Sequence, residues 1–360
     1  MIIPKMKFLN PVLEASIIKI IYKFRFLFLY VVFGVISLFL EFVIRSYLIE
    51  LKFTHLISTI ISINCGIFFA FWLNVNYNFK IPLSRRNQAL WYFIFISLFS
   101  AFLQRLIANI IDLSFLNYEL QRLLVSSFMF VIAYALHRKL SFRDFKKVGI
   151  AIYANGVEDL ASIHNKIGYF PDFIHVDIID QTMKDDAEDV KTYKLETMRA
   201  LWPNTQIQSH IMSYKPSIWL DQVVLHSDVI YVHAECEENV FNLFDLIKSN
   251  GKKAGLALTM GTSIKSVIKY LKLADYVLLL TIPSPGSSGQ KFDSDGIIKI
   301  KEINALSFRR QFNLCIDGGV NEDIVNYLDA ENIVSGSSVL NSQNPKNQIM
   351  RLQTISRYEG

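Results

Sequence analysis

The stretch FIHVDIID (173–180) sets a histidine, His175, and a carboxylate, Asp177, two positions apart inside an apolar run. Burying such groups is expensive unless something compensates them. In an extended strand positions i and i+2 face the same side, so both side chains point one way. QIQSHIM (206–212) repeats the arrangement with His210 and Met212, and FNLCID (312–317) repeats it with Cys315 and Asp317. If the shared faces line one closed sheet, His175, Asp177, His210 and Asp317 converge at its mouth. Two imidazoles and two carboxylates form a ligand set for a borderline divalent ion such as Zn, Fe, Co or Mn. A cation there would neutralise the charge that the apolar run otherwise has to bury.

These residues need a frame, and the second half of the chain supplies one. β-rich runs at 148–153, 173–178, 206–212, 228–234, 253–258, 275–282, 312–317 and 332–336 alternate with amphipathic stretches. Eight strands with helices between them predict a parallel sheet with right-handed crossovers, closed as an α/β TIM barrel, (β/α)8. A doubly wound sheet is the alternative, but no G-x-G-x-x-G turn follows an early strand. In a barrel the chemistry sits at the C-terminal strand ends, where all four candidate ligands lie.

The first half reads differently. Residues 1–147 carry 17 Lys+Arg and 6 Asp+Glu, a formal +11, whereas 148–360 carry 20 and 26, a formal −6. The basic residues flank apolar runs, so the charge speaks for a membrane and not for nucleic acid. Four runs, 26–48, 53–73, 90–111 and 121–137, are long enough to cross a bilayer. They are apolar on all sides, unlike the helices of a soluble bundle. Lys and Arg gather before the first span, between the second and third, and after the fourth. That pattern predicts a multi-pass protein of the cytoplasmic membrane, with both termini and the barrel on the cytoplasmic side. Residues 1–25 form a basic, amphipathic leading segment. No A-x-A-like site follows the first apolar run, so a retained span is expected and not a cleaved signal. Cys65, Cys236 and Cys315 form no CxxC and no disulfide framework, in keeping with a reducing compartment.

Two family resemblances follow from these residues. AFWLNVNYNF (70–79) and AYALHRKLSF (133–142) share Ala, Leu and Phe at the same three positions, and each closes an even-numbered span. With four short spans, residues 25–145 resemble the GtrA family of small membrane proteins. The resemblance implies an N-terminal all-α membrane domain with four transmembrane helices over 26–145. It also implies contact with membrane lipid and a lipid-linked sugar in surface polysaccharide synthesis. The pieces HVDIID, SHIM, VHAE, GLAL, TIPSPGSSGQKF, IDGGV and SGSSVL appear in order over 148–360. Together they resemble ribulose-phosphate 3-epimerase.

That resemblance implies a sugar-phosphate substrate, one divalent metal on His175, Asp177, His210 and Asp317, and Asp177 and Asp317 as the two acid/base carboxylates. It implies phosphate contacts at Gly286, Gly289, Gly318, Gly319, Gly336 and Ser337, and Met212 packed beside the reacting carbon. His233 and Glu235, at the end of the fourth strand, read as support for the site and not as ligands. The chain departs from the family pattern near Ile150, at Ile179, in DQTMKDD (180–186) and at Ser287–Ser288. The substrate expected is therefore a ketose phosphate, D-ribulose 5-phosphate or another. A sugar-translocation protein with a non-catalytic, sugar-binding barrel is the competing reading. The sequence leaves a homo-oligomer open.

Overall fold

The computed structural model describes residues 10–79, 81, 83–110, 118–142, 145–155, 159–283, 286 and 289–355. The chain divides into two compact units, one of residues 21–144 and one built mainly from 145–355.

The first unit is helical: α1 (Pro11–Glu50) from residue 21 on, α2 (His55–Leu73), α3 (Leu83–Ile110) and α4 (Tyr118–Leu136). Among the described residues, two helical segments, Pro11–Glu50 and His55–Asn78, are long and apolar enough to span a membrane. Leu38, Phe39 and Phe42 of α1 are exposed, as suits a helix whose surroundings are lipid and not water. The runs read as spans at 90–111 and 121–137 fall on α3 and α4, which are described in part. Within the described residues α1 is one 40-residue helix, which runs without a break from Pro11 into the first expected span.

The echoed sequences take the same local form. α2 closes in a π turn at Asn74–Asn78 and α4 in one at His137–Ser141. The Phe that ends each, Phe79 and Phe142, stacks on the other at 4.3 Å between ring centres. Repeated sequence thus produces repeated backbone, joined through its own aromatic residues.

The second unit is a closed barrel of eight parallel strands in sequence order. They are β1 (Lys147–Tyr153), β2 (Phe173–Ile179), β3 (Gln206–Met212), β4 (Val229–His233), β5 (Lys253–Leu258), β6 (Tyr276–Leu280), β7 (Asn313–Asp317) and β8 (Asn332–Val334). All eight expected runs form strands, and closure rules out the doubly wound sheet. The interior is packed by Phe173, Val229, Tyr231, Ala257, Leu278, Cys315 and Val334. Large rings need small neighbours: a Cβ on Gly149 would run into the ring of Phe173, and one on Gly255 into that of Tyr231.

The N-terminal rim is tied by a repeated device. The acid just before each even-numbered strand accepts the second backbone N–H of the preceding strand. Asp172 takes Val148 N at 3.0 Å, Asp228 takes Ile207 N at 2.8 Å, Asp275 takes Ala254 N at 3.0 Å, and Glu331 takes Leu314 N at 2.9 Å. Four side chains thereby satisfy strand donors that the ladder leaves over at this end.

Candidate active site and metal centre

The barrel register decides which side chains meet. Asp177 on β2 lies opposite His210 on β3, and Leu280 on β6 lies opposite Asp317 on β7. His175, Asp177, His210 and Asp317 each offer a ligand atom, and these atoms lie within 4.8 Å of one another. His175 Nε2 is 3.4 Å from Asp177 Oδ1 and 3.8 Å from Asp317 Oδ2, while His210 Nδ1 is 3.1 Å from Asp177 Oδ1. Residues 140 positions apart in sequence, roughly, are neighbours because the sheet closes.

Both ring nitrogens of His175 are buried without a hydrogen-bond partner. A wholly buried imidazole in that state has given up its hydrogen bonds to water and keeps only the charge of Asp177 and Asp317 beside it. The adjacent carboxylates and second imidazole form a donor set suited to a divalent cation, so the residues present fit a metal.

The two carboxylates differ electrically. Burial would raise the Asp177 carboxyl, but the adjacent imidazoles of His175 and His210 outweigh it and hold the group below the usual carboxylate range. Burial, then the charge of Asp177, pushes Asp317 up to about 7, against the opposing pull of His175. His210 is held neutral down to about 4 by burial together with His233 and His175, against the opposing effect of Asp177. Two acids whose environments drive them apart are the pattern of a general base beside a general acid.

The site opens into a cavity of about 1010 Å³ whose lining includes Asp177, Asp317 and Met212. Gly286, Gly289, Gly318, Gly319, Gly336 and Ser337 line the same cavity. Gly318 and Gly319 have φ of 110° and 67°, a region that side chains other than glycine rarely occupy. A Cβ on Gly319 would also meet the backbone of Phe292. Met212 is 2% exposed and packs with Ile179, Ala187 and Met183, an apolar patch at the cavity's edge. On β1, Ala151 and Tyr153 line the cavity and Ile150 does not. Ser287 and Ser288 lie outside the described residues.

Sequence reasoning passed over several supports. Asn155, just after β1, donates to Ile179 O at 2.8 Å and accepts from Ile179 N at 3.3 Å, which fixes the end of β2. Thr281 Oγ1 donates to the carbonyls of Asp317 and Gly318, each at 2.8 Å. Asp180, the last acid of the opening stretch, turns away from the cluster to Trp219 Nε1 at 2.7 Å and Thr182 N at 3.0 Å. An isolated Asn or Thr in a loop carries no spacing signal that would single it out. His233 and Glu235 stand behind His210, as support: His233 Nε2 is 2.9 Å from His210 Nε2, and His233 Nδ1 is 3.0 Å from Glu235 Oε2.

Each half matches a known family. Residues 151–340 match the ribulose-phosphate 3 epimerase family, and residues 29–142 match the GtrA/DPMS transmembrane domain. The ribulose-phosphate 3-epimerase of Aquifex aeolicus (strain VF5) is 30% identical over 155 residues, covering 41% of this chain and 69% of its own. That of Bacillus subtilis (strain 168) is 28% identical over 189 residues, 51% of this chain and 86% of its own. That of Helicobacter pylori (strain J99) is 29% identical over 191 residues, with 51% and 86% covered. The apolar N-terminal helices and the GtrA/DPMS domain mark a membrane protein. The chain belongs to the ribulose-phosphate 3-epimerase family and is a carbohydrate epimerase fused to a GtrA/DPMS transmembrane domain.

Proposed function

We propose that this chain is a membrane-anchored, metal-dependent sugar-phosphate 3-epimerase acting on D-ribulose 5-phosphate or a related ketose phosphate. The observation that carries the reading is the meeting of Asp177 and Asp317 beside His175, a buried ring with no hydrogen-bond partner.

Inverting a carbon next to a ketone means removing a proton from one face and returning one to the other. Asp177 takes the C3 proton and leaves the substrate as an enediolate. Asp317 delivers a proton on the opposite face. In the reverse direction the two exchange roles. His175, His210, Asp177 and Asp317 would hold one divalent cation, which would supply positive charge to the oxygens that become negative in the transfer. Backbone groups of Gly318, Gly319, Gly336 and Ser337, with Gly286 and Gly289 from the loop across the cavity, grip the phosphate. Met212 and its apolar neighbours keep water from the reacting carbon.

The membrane unit crosses the cytoplasmic membrane four times and holds the barrel on the cytoplasmic side. It serves surface polysaccharide synthesis by placing the epimerase near a lipid-linked sugar. The basic segments before the first span and after the fourth support that orientation.

The test uses the full chain in detergent, loaded with Zn, Mn, Fe or Co. We expect exchange of the C3 hydrogen of a pentulose or hexulose phosphate with deuterated solvent. No exchange across such a panel contradicts the epimerase reading. Restoration of surface glycan in a deletion strain by both D177N and D317N would instead support a binding barrel on a translocation protein.

A further inference from the structure

Behind His210 runs a chain of contacts that ends on a carboxylate. His210 Nδ1 faces Asp177 Oδ1 at 3.1 Å, and its Nε2 faces His233 Nε2 at 2.9 Å. His233 Nδ1 faces Glu235 Oε2 at 3.0 Å. The other oxygen, Glu235 Oε1, accepts from Thr259 N at 3.0 Å, from Thr259 Oγ1 at 2.9 Å, and from Thr262 Oγ1. Lys299 Nζ binds the carbonyls of Thr259 at 2.8 Å and Met260 at 3.0 Å, fixing the turn that holds those donors. Both histidines are fully buried.

Donor and acceptor rules allow little freedom along this chain. An ionised carboxylate only accepts, so His233 Nδ1 carries a hydrogen. In the neutral ring His233 Nε2 is then a lone pair, and the hydrogen between the two rings belongs to His210 Nε2. His210 Nδ1 is left as a lone pair, aimed at Asp177 Oδ1. Two acceptors facing each other need a cation between or beside them. Resting on the metal reading above, we infer that Glu235, acting through His233, sets the tautomer of His210 so that its Nδ1 lone pair points into the metal site. Glu235 and His233 are positioning residues, neither of which touches metal or substrate. Ionisation of Glu235 agrees: burial would raise its carboxyl, but His233, Thr262 and Thr259 outweigh it and hold the group at about 2.

Glu235→Gln is the sharp test because it keeps size and fold while reversing the polarity of the chain. Thr259 N–H can only donate, so the amide oxygen stays on that side and the amide NH2 turns to His233. His233 Nδ1 becomes the acceptor, His233 Nε2 the donor, and His210 Nδ1 takes the hydrogen where the lone pair is required. The full chain in detergent is stripped by chelator and titrated with Co²⁺, followed by equilibrium dialysis and by the visible spectrum of the bound ion. E235Q is expected to bind Co²⁺ about 10- to 100-fold more weakly than wild type, with unchanged thermal unfolding of the metal-free protein. His233→Phe, which leaves His210 Nε2–H without an acceptor, is expected to lose as much. Wild-type Co²⁺ affinity and spectrum in E235Q would overturn the relay, whereas failure of the wild-type chain to bind Co²⁺ would overturn the metal reading beneath it.

Discussion

At the N-terminal end of the barrel, Asp172, Asp228, Asp275 and Glu331 each accept a strand N–H at 2.8–3.0 Å. At the C-terminal end, Asp177 and Asp317 are gathered against each other and against His175, whose ring nitrogens have no hydrogen-bond partner. Both ends therefore carry carboxylates at strand termini. One end uses them to satisfy backbone donors. The other gathers carboxylates and imidazoles into one cluster. The contrast separates stability from chemistry within one fold, since the C-terminal end holds buried ring nitrogens that a ligand can still satisfy.

The largest effect should come from removing charge at the C-terminal end. D177N and D317N are each expected to lower C3 exchange by about 10³-fold or more, since each loses a proton carrier as well as a metal ligand. Exchange within tenfold of wild type in either variant would break the contrast. Next, chelation of the full chain should abolish exchange reversibly, and a divalent ion should restore it. Activity that survives exhaustive chelation would remove the cation from the account.

A third effect is on stability against pH in the metal-free protein. The folded pKa of Asp317 is raised from 3.8 to about 7, with burial the leading cause. A raised carboxyl contributes stability below its unfolded value and loses it as pH climbs through the folded one. Metal-free wild type should therefore lose stability relative to metal-free D317N between about pH 4 and 7. Thermal unfolding across that range reads the difference, and parallel curves would show that Asp317 is not strained.

The smallest effect belongs to the other rim. Asp228→Ala removes the acceptor for Ile207 N and the 2.7 Å ion pair with Arg199. A loss of about 1–2 kcal/mol in unfolding free energy is expected, with C3 exchange per folded molecule unchanged. A loss of turnover without a loss of stability would blur the division between the two ends.

Much of this was legible in the residues. The eight strand runs are short, β-rich and bounded by turns, and those features separate them from helix where periodicity alone would not. His175 and Asp177 stood out because charged groups two apart in an apolar run demand an explanation. The acids of the N-terminal rim gave no such signal, for a single Asp before a strand looks like any solvated turn residue. The continuity of α1 was hidden as well. Its basic residues Lys19, Lys23 and Arg25 suggest a boundary by charge, but charge sets membrane depth and does not break a helix. The chain from His210 to Glu235 was half visible: VHAE named the residues, and only the fold shows which nitrogen faces which.

The most direct test of the central claim is the metal content of the purified full chain, measured with that of D317N. The account predicts about one divalent ion per wild-type chain and far less in a folded D317N. A folded wild-type chain free of metal after preparation without chelator, and unable to take up Zn, Mn, Fe or Co, would contradict it.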